Sequence, residues 1–271
     1  MTPTHASVAL GELLFNDEEL SADGSISCAT CHQSQAAFSD LGARLSVGVY
    51  NRLGRRNTPP IQNVLWMPFF MWDGGITNLE VMPMAPITNY AEHDLNLWEF
   101  VRRAELRYPE EIYRAFGTDS ATSQLVMRAL AHYMMTLVSA NAPIDQVARG
   151  ERTWTASELE GKVVFDRHCA DCHAGPLQTS WGFGYHGTPP AVPADSGRYK
   201  VSLNPADMGF MRVPSLRNWA FTSPYMHDGR YATLGDVLAD WEQATGNNFN
   251  VAEREALIHF LHTFNDSTYV E

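Results

Sequence analysis

Cys28-Ala29-Thr30-Cys31-His32 and Cys169-Ala170-Asp171-Cys172-His173 are two copies of one pentapeptide, C-x-x-C-H. The two cysteines of each copy lie one helical turn apart, so both sulfurs can join one porphyrin as thioethers. The adjacent histidine then reaches the iron from beneath. A lone C-x-x-C also suits a redox dithiol or half of a zinc site. The following histidine, and the use of all four cysteines in two complete copies, weigh against both. The chain is therefore read as the housing of two covalently bound c-type haems. Cys28, Cys31, Cys169 and Cys172 are the attachment points, and His32 and His173 are the iron ligands.

The length of 271 residues allows two domains. The spacing of the motifs gives each one haem, with the domains expected at 1–145 and 146–271. A net charge of −12 argues against nucleic acid as partner and permits a basic redox protein. No apolar run is long enough to cross a membrane. Covalent haem is attached on the oxidising side of a bacterial membrane, so the expected compartment is the periplasm. Met1-Thr2-Pro3-Thr4-His5 lacks the basic and apolar regions of a secretion signal, which suggests a mature form without its leader.

Apolar periodicity predicts helices over 5–15, over 94–116 with a break near Pro109, and over 122–140. Met134 and Met135 in the last of these read as core rather than as iron ligands. Asn141-Ala142-Pro143 is expected to end that helix and begin the interdomain link. Thr155-Ala156-Ser157-Glu158 is a capping box that opens the helix leading to the second motif. Shorter helices are expected near 234–244 and 252–264. Between them lie two long Gly- and Pro-rich loops, to about residue 90 and over 174–221, expected to wrap the haems. With no β pattern of useful length, the fold class is all-α: two cytochrome-c-like haem domains with long loops.

Four further stretches carry a family resemblance. They are Leu10-Gly11-Glu12-Leu13-Leu14-Phe15 with Ile26-Ser27, Arg55-Arg56-Asn57-Thr58-Pro59, and Trp72-Asp73-Gly74 with Leu79 and Pro86-Ile87. The fourth is Val213-Pro214-Ser215-Leu216-Arg217-Asn218, running on to Pro224-Tyr225-Met226-His227-Asp228-Gly229. In order and spacing, from about residue 8 to 245, the chain resembles the bacterial dihaem cytochrome c peroxidase and MauG family. The resemblance implies that the haems face a shared interdomain region. The haem of His32 would be peroxidatic and that of His173 an electron relay, with Trp72 between them. It implies Glu92 as the catalytic carboxylate, Pro86 over the same haem face, and Arg212 as a basic group near that pocket. It also implies one Ca²⁺ between the haems, with Asn57, Thr222 and Pro224 as ligands, the last two through backbone carbonyls.

The departures from the family pattern set the expected chemistry. After Ser46-Val47-Gly48, where the peroxidase branch places a histidine that closes the first iron at rest, stands Val49. Valine cannot bind iron, so the first haem is expected to be open without prior reduction, as in the MauG branch. Met82 stands where a distal glutamine is usual. The family's second-haem ligand, Met or Tyr, falls at Trp241, which is no iron ligand; Met208, Met211, Met226 and His227 are nearby in sequence. Arg167 replaces a surface tryptophan that MauG uses in electron transfer, leaving Trp154, Trp181, Trp219 and Tyr231 as exits by chemistry alone.

The leading expectation is a periplasmic enzyme that uses H₂O₂ to oxidise a side chain of a partner protein through a high-valent two-haem state. Tryptophan of copper-handling proteins is one substrate class of that branch. The alternatives are a constitutively active cytochrome c peroxidase fed by a small cytochrome or cupredoxin, and a non-enzymatic dihaem electron-transfer cytochrome.

Overall fold

A computed structural model describes residues 2–185 and 195–270. The chain divides into two compact units, one of Met1–Phe70 with Ile76–Val138, the other of Met71–Gly75 with Ser139–Glu271. The part of the second long loop at 186–194 lies outside the described residues.

The first unit contains α1 (His5–Asn16), α2 (Cys28–Cys31), α3 (Met84–Thr88), α4 (Leu97–Arg107), α5 (Pro109–Phe116) and α6 (Ser123–Met135). Local chemistry sets their ends. The Thr4 hydroxyl accepts the Ser7 N–H at 3.2 Å and caps α1; Asn96 accepts the Glu99 N–H at 2.9 Å and caps α4. α5 starts on Pro109 and stops at Gly117, which takes a left-handed φ of 69°. Leu10, Leu14 and Phe15 of α1 are buried with Val126, Leu130 and Met134 of α6, so Met134 is core as expected.

The second unit contains α7 (Pro143–Ala148), α8 (Ala156–His168), α9 (Tyr199–Ser202), α10 (Leu234–Thr245) and α11 (Val251–His262). The expected capping box opens α8: Thr155 accepts the Glu158 N–H at 3.2 Å, and Glu158 accepts the Thr155 N–H at 2.8 Å. Val164, Phe165, Leu257, Phe260 and Phe264 form the core between α8 and α11, and Cys169 packs against it.

The two units repeat one packing device. A Cβ on Gly11 would lie 2.0 Å from the Ala129 carbonyl oxygen of α6, and one on Gly161 would lie 1.9 Å from that of Ala256 in α11. In each unit the helix that precedes the haem motif crosses the unit's last long helix backbone to backbone, at a residue with no side chain.

Two expectations are corrected. The class is mostly α rather than all-α, because β1 (Phe183–Gly184) pairs antiparallel with β2 (Met211–Arg212). α6 ends at Met135 rather than 140: Asp266 accepts the Ser139 hydroxyl at 3.1 Å and the Asn141 N–H at 2.8 Å, drawing the chain out of the helix. The two compact units part at Val138/Ser139, and α7 groups with the second. There the Ile144 N–H bonds the Thr263 carbonyl at 3.0 Å, and Asp145 pairs with the buried Arg217 at 2.9 Å.

The Gly161→Ala variant should lower stability by about 1–3 kcal/mol, because the clashing partner is backbone and cannot rotate away. Gly235→Ala, whose Cβ would meet nothing closer than Thr233 Oγ1 at 3.5 Å, should change it by less than ~1 kcal/mol. Denaturant midpoints of the holoprotein check the pair; equal shifts would contradict the close crossing.

Candidate functional site

Both C-x-x-C-H segments fold alike. The His32 N–H bonds the Cys28 carbonyl and the His173 N–H bonds the Cys169 carbonyl, each at 2.9 Å, closing one helical turn. That turn sets the histidine beneath the cysteines. Each imidazole then loses one nitrogen to a backbone carbonyl: His32 Nδ1 lies 2.8 Å from the Phe38 oxygen, and His173 Nδ1 lies 3.1 Å from that of Gln178. A carbonyl only accepts, so Nδ1 carries the proton and Nε2 keeps its lone pair. Burial pushes the His32 imidazole down to about 4, which keeps it neutral.

Phe38 and Gln178 are held at φ 60° and 52°, the left-handed region that costs a non-glycine residue roughly 1–2 kcal/mol. In both units that strained residue is the one whose carbonyl meets the imidazole. Sequence reading missed both residues, since neither side chain is used and their spacing from the histidine differs.

None of the four cysteines is in a disulfide. Burial pushes Cys28 and Cys169 up to about 12 and Cys31 to about 11, so the sulfurs are neutral. Arg212 is buried at 4 % exposure, and desolvation lowers its guanidinium to about 10. Its side-chain bonds are two long ones, to the Met71 and Val213 carbonyls at 3.4 Å. A buried cation with such weak partners suits an anionic group such as a haem propionate. Neutral imidazoles with Nε2 available, paired thiols and this guanidinium together fit covalent haem.

In the first unit the structure brings Val49, Glu92 and Pro86 into one hydrogen-bonded assembly. The Val49 N–H bonds the Glu92 carbonyl at 3.1 Å, and the His93 N–H bonds that of Pro86 at 3.2 Å. Val49 is fully buried. Gly48 is required beside it, because a Cβ there would lie 2.2 Å from the Ala91 oxygen. Burial raises the Glu92 carboxyl above the ordinary glutamate value, opposed by a hydrogen bond from Asn89 Nδ2 at 2.5 Å. Buried His93, also missed by the sequence reading, bonds the Leu20 carbonyl through Nδ1 at 3.0 Å and turns Nε2 to Cys28 Sγ at 3.9 Å. Met82 is half-buried on the turn before α3.

Trp72 groups with the second unit. Its carbonyl accepts the Arg212 N–H at 2.7 Å, and its ring stands edge-on to His227 with centroids 6.4 Å apart. Arg198 Nη1 donates to the Asp73 and Gly74 carbonyls at 3.0 and 2.9 Å, holding the W-D-G turn there. Trp241 stacks on Phe249 at 5.3 Å and meets His168 edge-on at 5.7 Å, so its indole serves an aromatic cluster. Met211 is buried in β2, Met208 is exposed, and Met226 takes a left-handed φ of 74°. Of the exit candidates, Trp154 packs on Phe260 at 5.5 Å and Trp219 lies 5.0 Å from the His262 ring. The expected calcium ligands fall in different units, Asn57 in the first, Thr222 and Pro224 in the second. Asn57 Nδ2 donates to the Ala43 carbonyl at 3.1 Å, and the Thr222 hydroxyl to that of Trp219 at 3.2 Å. Among the described residues no helix is long and apolar enough to cross a membrane.

Comparison with known proteins follows the same lines. The family model for di-haem cytochrome c peroxidase matches residues 5–153. The chain is 31% identical to cytochrome-c peroxidase IdrP2 of Denitromonas iodatirespirans, over 94% of this chain and 80% of that protein. It is 32% identical to the methylamine utilization protein MauG of Methylophilus methylotrophus, over 99% and 80%. A solved MauG-like protein associated with microbial copper homeostasis shares the fold, with a TM-score of 0.88 and 24% identity over 100% of this chain and 95% of that one. These likenesses, joined to two matched haem-binding turns, show that the chain belongs to the di-haem cytochrome c peroxidase and MauG family of haem-dependent oxidoreductases.

Proposed function

We propose that this protein is a MauG-type oxidase that accepts hydrogen peroxide at the first haem without prior reduction and oxidises a side chain of a partner protein. The observation that carries the reading is Val49. At the position where a closing histidine would come, a fully buried valine is bonded through its N–H to the Glu92 carbonyl.

When bound, haem supplies an iron that takes peroxide and stores its oxidising equivalents. The chain's own groups handle the protons. Glu92 would hold a proton taken from one peroxide oxygen and return it to the other. Burial keeps its affinity for a proton above that of a solvated glutamate, which suits a group that must both take and give. Met82 cannot donate a hydrogen bond as a glutamine would, so Glu92 works without that help. Trp72, buried and held by Arg212 at its carbonyl, is the proposed aromatic relay. The periplasm is the proposed compartment, because c-type haem is attached there.

A second reading, a constitutively active cytochrome c peroxidase, is supported by the likeness to IdrP2. The two differ in the electron source. Stoichiometric oxidation of a co-expressed partner protein supports the first; rapid multiple turnover with a reduced small cytochrome or cupredoxin supports the second.

The resting ferric protein should show a high-spin haem signal before any reductant and should react with one equivalent of peroxide. A wholly low-spin, peroxide-inert protein would overturn both enzyme readings. The Glu92→Gln variant should slow the peroxide reaction by ~10²-fold or more in stopped-flow measurements. In the parent protein the rate should fall as pH drops through a midpoint above the usual glutamate value, since the raised carboxyl must be ionised to accept a proton. A pH-independent rate, or an unaltered one in Glu92→Gln, would remove Glu92 from the mechanism.

A further inference from the structure

The Glu92 carboxyl is held by one side chain. Asn89 Nδ2 donates to Glu92 Oε1 at 2.5 Å, while Asn89 Oδ1 accepts the Ala91 N–H at 3.0 Å. A backbone N–H can only donate, so the second bond fixes which end of the amide is oxygen. The NH₂ end is thereby aimed at the carboxylate. The backbone repeats the connection: the Asn89 carbonyl accepts the N–H groups of Glu92 and Asp94, both at 3.0 Å. This turn is clasped from outside as well. Arg52 Nη1 donates to the Tyr90 carbonyl at 2.9 Å and to Asp94 Oδ2 at 2.5 Å, with its guanidinium 3.7 Å from the centre of the Tyr90 ring.

We propose that Asn89 is the positioning residue for Glu92, its backbone-locked amide aiming one N–H at the carboxylate and so setting both its direction and its readiness to take a proton. The inference rests on the reading of Glu92 as the distal proton-transfer group and adds a second residue to that site. The amide N–H stabilises the ionised carboxylate, whereas burial favours the neutral acid. Asn89 therefore keeps a half-buried carboxylate usable as a base. The other groups around this turn are Cys28 and Cys31 of the haem motif, His93, Tyr50 and Tyr90, and the Arg52–Asp94 pair. The cysteines carry no charge once they are thioethers. Arg52 is committed to Asp94, and the Asn89 amide donates to the Glu92 side chain.

The test is an infrared titration of the holoprotein without peroxide, in which the Glu92 carboxyl band is assigned by its loss in Glu92→Gln. Asn89→Ser keeps an oxygen near the Ala91 N–H and removes the NH₂ that reaches the carboxylate. Its Glu92 midpoint should rise by about one pH unit, the effect of losing one hydrogen bond to a charged group. Asn89→Asp, the same shape with an oxygen in place of the NH₂, should raise it further through like-charge repulsion. A midpoint unmoved in both variants overturns the proposal, and so does a fall in either. Because the band is read without peroxide, this outcome is separate from the reactivity of Glu92→Gln, which alone decides whether Glu92 is catalytic.

Discussion

An imidazole presents a single lone pair to a metal only when its other nitrogen is committed, and that constraint organises both units. His32 and His173 each give Nδ1–H to a backbone carbonyl, from Phe38 and Gln178. To turn those carbonyls inward the chain accepts a left-handed conformation at two non-glycine residues. A strain of roughly 1–2 kcal/mol at each persists because the surrounding turn over-determines it. The helix before each haem motif, α1 or α8, is held by a glycine crossing against α6 or α11, and α8 runs directly into its motif. In the first unit Phe15 of α1 also lies 6.4 Å from the His32 ring, joining the helical core to the ligand.

On this shared frame the units diverge through their loops. The first surrounds Glu92 with a tight hydrogen-bonded turn against the fully buried Val49. The second holds a buried arginine and a tryptophan side by side, with the small sheet fixing Arg212 opposite Phe183. The residues around the two C-x-x-C-H turns thus differ, each set within its own compact unit.

Much of this was legible from residue types. The repeated pentapeptide, the capping boxes and the proline starts are local, and local hydrogen bonds settle them wherever the rest of the chain lies. Glu92, Val49 and Trp72 were legible through family resemblance, because a motif's order survives when its geometry is unseen. Asn89 left a readable trace too, since a donor three residues before a carboxylate within a turn is a capping-like pattern.

What only the tertiary structure decided is where backbone groups and shared partners go. Phe38 and Gln178 act through carbonyls, which every residue has. α6 stops at Met135 because Asp266, far along the chain, takes the polar groups of Ser139 and Asn141. Trp72 groups with the second unit because Arg198 and Arg212 hold its turn there. Trp241 stacks on Phe249 and meets His168 edge-on. The sequence by itself determined the two cofactors and the identity of the residue facing each expected role. Long-range hydrogen bonds and ring contacts decided which of those residues meet, because their energies depend on angles and distances that spacing along the chain does not encode.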